Sequence, residues 1–128
     1  MQVKEIMKKA VMISSSATVR EAAQSMAKNN IGSLIVADKS KRLVGIVTER
    51  DILKCFSNSG THGTSISKIM SKNVKTIDAK EEIEDAAEIM SQNKIKRLPV
   101  VQKGKLVGII TATDLIANAD DIDDPFFF

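Results

Sequence analysis

The chain has 128 residues, 43% of them hydrophobic and 27% charged, with a formal net charge of +3. That length suits one compact domain burying roughly two-thirds of its unfolded surface, and the apolar content excludes a disordered chain. The mild basic excess is compatible with phosphate-bearing ligands but too dispersed to mark nucleic acid, and a composition with no Trp, no Tyr and four Phe lacks the aromatic platforms of sequence-tolerant single-strand binders.

In chain order, the short apolar stretch Val11-Met12-Ile13 leads to a helix predicted from Thr18 to Asn29. Its apolar positions Val19, Ala22, Ala23, Met26 and Ala27 follow the i, i+3, i+4, i+7, i+8 spacing, and Thr18 with Glu21 makes a capping-box pair at its start. Two strands follow, 33–37 and 43–48, joined by the polar turn Asp38-Lys39-Ser40-Lys41-Arg42. A second helix spans 49–56, and Ser57 to Thr64 reads as a polar loop. The pattern then recurs: a helix carrying Ile83, Ala86, Ala87 and Met90 with Asp78 and Glu81 as its opening pair, strands at 98–101 and 106–111, and a helix at 112–119. Both strands of each pair are nearly continuous in apolar residues, the mark of burial on two faces.

The recurrence extends to specific residues. Gly45-Ile46-Val47-Thr48-Glu49-Arg50-Asp51-Ile52-Leu53 returns as Gly108-Ile109-Ile110-Thr111-Ala112-Thr113-Asp114-Leu115-Ile116. Most other matches, from Ile13/Ile77 to Val36/Val100, lie one residue further apart. Both changes of interval fall between periodic segments, where a turn absorbs them; inside a strand, such a slip would turn the buried face outward. The chain is therefore two copies of one unit, each needing its twin to cover an apolar face. The tail from Asp120 to Phe128, acidic and then aromatic, has no partner in the first copy and reads as frayed or docked on a surface.

No apolar run approaches the ~20 residues that cross a bilayer, and the opening Met1-Gln2-Val3-Lys4-Glu5 lacks the apolar stretch of a signal peptide. A soluble, cytoplasmic protein without a membrane partner is expected. Cys55 stands alone among apolar neighbours, a buried inert thiol. The single His62 has no companion ligand, so no metal is expected, and without a third partner the Cys and His make no nucleophilic site. The scattered glycines form no phosphate loop.

Thr48-x-x-Asp51 and Thr111-x-x-Asp114 admit two readings. In one, Thr caps a helix and Asp favours its positive end. In the other, the strand end offers a hydroxyl and free backbone N–H groups to a phosphate, while Asp accepts hydrogen bonds from the neighbouring hydroxyls of a ribose. Duplication at matched junctions favours the second.

Those strings, the starts Ile6-Met7-Lys8-Lys9 and Ile69-Met70-Ser71-Lys72, and Ile95-Lys96-Arg97-Leu98-Pro99-Val100-Val101 resemble a tandem pair of CBS domains, a Bateman module, from about Val3 to Ala119. The resemblance implies an α/β (α+β) fold of two pseudo-symmetric β-α-β-β-α units packed as one module: residues 1–58, a linker at 59–65, residues 66–119, and a tail at 120–128. It also implies adenosine-containing ligands in clefts between the units, and a homodimer.

By position, Asp51 and Asp114 would take the riboses, with Thr48 and Thr111 near the phosphates and Ile46 and Ile109 against adenine. The resemblance adds Ile31, Gly32, Lys96, Arg97 and the segment Ala10-Val11-Met12 to the Asp114 cleft. It adds Asn73-Val74-Lys75, Ile95 and Arg50 to the Asp51 cleft. Where the second copy has Lys96-Arg97 the first has Gly32-Ser33, so the sites are expected to be unequal, with the Asp114 cleft better suited to a di- or triphosphate.

The function expected is a non-catalytic sensor of AMP, ADP, ATP, NAD or S-adenosylmethionine, with no required cofactor, read out by a separate effector protein. The alternatives are a nucleic-acid-binding CBS protein and a structural dimerisation module with empty clefts.

Overall fold

The computed structural model describes residues 1–121, so the expectation for the aromatic end of the tail, 122–128, lies outside the described residues. The elements run β1 (Met12–Ser14), α1 (Val19–Asn29), β2 (Ser33–Ala37), β3 (Leu43–Thr48), α2 (Glu49–Ser57), β4 (Ile77–Asp78), α3 (Ile83–Asn93), β5 (Arg97–Gln102), β6 (Lys105–Thr111) and α4 (Ala112–Ala117), with 3₁₀ turns at Val3–Glu5, Ile66–Lys68 and Ala119–Asp121. Each copy builds a three-stranded sheet, β1-β2-β3 or β4-β5-β6. The first pair of each sheet is parallel and the second an antiparallel hairpin. This is the expected mixed α/β fold, written twice.

Two compact units result, and each recruits residues from beyond its own copy. One unit is Val11–Val74; the other joins Met1–Ala10 to the chain from Lys75 onward. The segment that precedes each copy's first strand is thus spent on the other copy. Within the Val11–Val74 unit the core is Ala17, Val19, Ala22, Met26, Leu34, Val36, Val47, Cys55 and Ile66. In the second unit it includes Val3, Ile77, Ile83, Ala86, Met90, Leu98, Val100, Ile110 and Leu115. The incoming segments anchor through Ile66 and Val3, both fully buried. Val3 N–H donates to the Glu81 carbonyl at 2.8 Å, and Ile66 N–H to the Ala17 carbonyl at 3.0 Å.

Glycine makes the anchoring possible. Main-chain bonds pair Lys8 with Ile109, each N–H donating to the other's carbonyl at 2.9 Å, and Ser71 with Ile46 at 2.9 and 3.0 Å. A Cβ on Gly108 would stand 2.8 Å from the Lys8 carbonyl oxygen; one on Gly45 would stand 2.9 Å from that of Ser71. Only a residue without a side chain lets each strap lie this close. Opposite these glycines each hairpin slips by a residue, between Val36 and Ala37 and between Val100 and Val101, leaving Val44 and Val107 as the extra residues of β-bulges.

Three expectations need correction. The opening pair of the second copy's first helix is Glu82 with Asp85, not Asp78 with Glu81. Asp78 instead closes a turn, accepting the Lys80 N–H at 2.9 Å. Burial on both faces holds for the central strands, where Leu34, Ile35 and Val36 are buried in succession, but β3 and β6 alternate as half-exposed strands do. The last helix ends at Ala117 rather than Ala119, and the chain tightens into a 3₁₀ turn.

Candidate functional site

In both units a strand ends on threonine and turns directly into a helix. Thr48 and Thr111 are the N-caps of α2 and α4, with extended backbones (φ −122° and −120°). The Asp51 N–H donates to Thr48 Oγ1 at 3.4 Å, while Asp51 Oδ2 accepts from the Thr48 N–H at 2.8 Å and from its hydroxyl at 3.1 Å. Asp114 repeats the arrangement on Thr111 at 3.3, 2.9 and 3.0 Å. The capping reading is therefore realised in full. A threonine hydroxyl has one proton, and in both boxes it is directed at the carboxylate, so each threonine acts first to orient its aspartate.

A cap uses one carboxylate oxygen. All hydrogen bonds to Asp51 arrive at Oδ2, which leaves Oδ1 without a partner among the described residues. Asp51 is half-buried. Asp114 differs: its side chain is 4% exposed, and Oδ1 is 3.1 Å from Lys8 Nζ. The strap explains the difference. Lys8 pairs with Ile109 in one unit as Ser71 pairs with Ile46 in the other, so the strap position that brings an ammonium to Asp114 carries no charge in the unit of Asp51.

The basic asymmetry expected from the sequence takes shape beside Thr111. Arg97 pairs with Thr111 across the β5–β6 hairpin, and the Lys96 carbonyl accepts the first N–H of α4, from Ala112, at 2.8 Å. In the other unit Ser33 pairs with Thr48, and the Gly32 carbonyl accepts from Glu49 at 3.1 Å. Lys8, Lys96 and Arg97 thus answer to Ser71, Gly32 and Ser33.

Asp114, Thr111, Ile109, Lys96, Arg97, Ile95 and Lys75 fall in the unit that contains the N-terminal strap. Asp51, Thr48, Ile46, Arg50, Ile31, Gly32, Val11, Met12 and Val74 fall in the other. Ile31 and Gly32 line a groove of about 490 Å³ between α1 and α2, together with Met26, Glu49, Ile52 and Leu53. Arg50 and Lys96 are exposed, whereas Arg97 is half-buried. His62 packs its ring edge-on to Phe56, centroids 5.4 Å apart, and Cys55 is buried. Among the described residues no cluster of His, Cys, Asp and Glu could hold a metal ion, and no helix is long and apolar enough to cross a membrane. Lys8, quoted above only as part of a motif, is the residue that sequence reasoning missed. Aligning it with Ser71 shows a charge present in one copy and absent from the other.

Comparison with known proteins places these features in a family. The chain is 41% identical over 115 residues to an uncharacterized 17.7 kDa protein of Acidianus ambivalens, covering 89% of this chain and 70% of that one. Among solved structures it resembles the CBS domain pair of protein MJ0100 in complex with 5′-methylthioadenosine and S-adenosyl-L-methionine (TM-score 0.85, 33% identity, 94% of this chain and 96% of that chain). It also resembles the CBS domain protein PAE2072 from Pyrobaculum aerophilum complexed with AMP (TM-score 0.84, 30% identity, 90% of each chain). The sequence signature of the CBS domain matches twice, at residues 3–58 and 66–121, and the chain belongs to the CBS domain family.

Proposed function

We propose that this protein is a non-catalytic regulatory module that binds adenosine-containing ligands through Asp51 and Asp114 and passes their presence to a separate effector protein. One observation carries the reading: each cap leaves a carboxylate oxygen, Oδ1, unused by the helix, and at Asp51 it has no described partner. A carboxylate held rigid by its own helix and keeping an acceptor to spare suits the adjacent hydroxyls of a ribose. The ligands in the MJ0100 and PAE2072 structures, AMP, S-adenosylmethionine and 5′-methylthioadenosine, share that sugar.

In this reading Ile46 and Ile109 contact adenine, with Ile31, Gly32, Ile95, Val11, Met12, Val74 and Lys75 completing the pockets, while Lys96, Arg97 and Arg50 face the phosphates. The ligand biases the module only by binding one arrangement of its parts more tightly than another. A homodimer suits the exposed Leu53 (70%) and Ile116 (65%), which occupy equivalent positions of the two copies and would present matching apolar faces. No cofactor is required, and a cytoplasmic setting supplies the ligands.

The test is thermal melting with AMP, ADP, ATP, NAD, S-adenosylmethionine and 5′-methylthioadenosine. A ligand at 100 times its Kd adds about 2.7 kcal/mol. At about 4 °C per kcal/mol for a chain of this length, the expected rise is about 10 °C. No shift with any of the six would leave a structural module as the function.

A further inference from the structure

We propose that Lys8 is a charge filter on the Asp114 site: its ammonium occupies the carboxylate oxygen a ribose would need, so the site admits anionic adenosine ligands and disfavours neutral ones. The inference rests on the adenosine-binding reading above and adds to it which ligand class each site takes. Asp114 Oδ2 is committed to the Thr111 N–H and hydroxyl, and Oδ1 to Lys8 Nζ at 3.1 Å. A diol presents two donors, and a single lone pair of Oδ1 stays open to them until the lysine moves.

Lys8 is fixed at its backbone and free at its tip. Two main-chain bonds to Ile109 hold the strap, while the side chain is 70% exposed. Such a group swings on its four-carbon stem without disturbing the fold. A neutral nucleoside that displaces it leaves an ammonium with no new partner, whereas a nucleotide carries its phosphate on the same sugar and offers the displaced cation a charge-assisted bond. Lys96 and Arg97 beside Thr111 add to the same preference. The Asp51 site has Ser71 at the strap position and Gly32 and Ser33 at the others. Arg50 is its one phosphate-facing basic group in this reading, and among the described residues no ammonium holds Asp51 Oδ1, so adenosine meets no lysine to displace there.

The experiment isolates one site at a time and compares AMP with adenosine by calorimetry. In an Asp51→Ala background, Lys8→Ser is expected to tighten adenosine and weaken AMP, lowering the ratio of their affinities by about fivefold, the upper end for one exposed ion pair. Lys8→Met serves as a second variant, and the melting temperature of each shows that the fold is kept. In an Asp114→Ala background, Ser71→Lys should raise the same ratio. An unchanged ratio, or an equal loss for both ligands, overturns the filter while leaving the binding reading intact. If neither ligand binds the unmodified chain, the filter falls, while the binding reading is decided separately by the six-ligand melting panel.

Discussion

Gly108→Ala tests whether the strap is held as closely as the fold requires. The added Cβ would lie 2.8 Å from the Lys8 carbonyl oxygen and 2.9 Å from Met7 Sδ. The sulfur can swing aside, but the carbonyl is main chain. Moving it breaks the two 2.9 Å bonds between Lys8 and Ile109, worth about 1 kcal/mol each. Residual overpacking brings the loss to about 2–3 kcal/mol. For a chain of this length, with an unfolding entropy of about 2.1 cal/mol/K per residue, that corresponds to a fall in Tm of about 8–12 °C. Scanning calorimetry reads the fall, and amide exchange at Lys8 and Ile109 should show protection lost at those two sites first. Gly63→Ala is the control: nothing lies closer to its added Cβ than 3.9 Å, so its effect should stay within about 0.5 kcal/mol. A Gly108→Ala variant that melts within about 2 °C of the parent with both amides protected would refute this account of the glycine.

Other expectations follow from single side chains. Asp114→Ala and Asp51→Ala each remove a capping box and should cost about 1 kcal/mol, seen as a fall of about 4 °C in Tm; the Asp114 variant should lose more, because it also leaves Lys8 without its carboxylate. Equal losses would show that the ion pair adds nothing. Lys94 ends α3 in the left-handed region (φ 54°). Lys94→Gly should therefore stabilise by about 0.5–1 kcal/mol, the relief of the left-handed strain outweighing glycine's extra unfolded freedom, and denaturant titration would read it. Hydrogen bonding and repulsion from Asp85, with repulsion from Asp78, hold the Glu81 carboxyl above the usual carboxylate range. A raised acid destabilises the fold as it ionises, so its cost appears as pH rises from the unfolded value through the folded one. Glu81→Gln should accordingly melt higher than the parent at pH 7 and no higher at pH 3.

The repeat made most of this fold legible. The hairpins, the central helices and both threonine–aspartate boxes follow from segments whose apolar pattern and Gly, Thr and Asp positions recur, because local periodicity and capping chemistry act within a few residues of each other. The Glu82–Asp85 box was equally within reach. Thr18 and Glu21 sit 64 residues before them, the interval shared by their neighbours, but glutamate is an uncommon N-cap and Asp78 drew the assignment instead. The exchange of leading segments left a subtler trace. Gly45 and Gly108 mark where a backbone must approach, yet a glycine alone does not say which backbone arrives. Lys8 stayed hidden for the same reason: its partner lies more than a hundred residues away, and no local rule connects an exposed lysine on a strap to a carboxylate inside a helix turn.

Calorimetric titration of the parent chain and the Asp51→Ala, Asp114→Ala double variant with AMP tests the central claim most directly. Binding to the parent, and its loss in a double variant that still unfolds cooperatively, is the result predicted. Undiminished binding to the double variant would show that both carboxylates serve their helices alone.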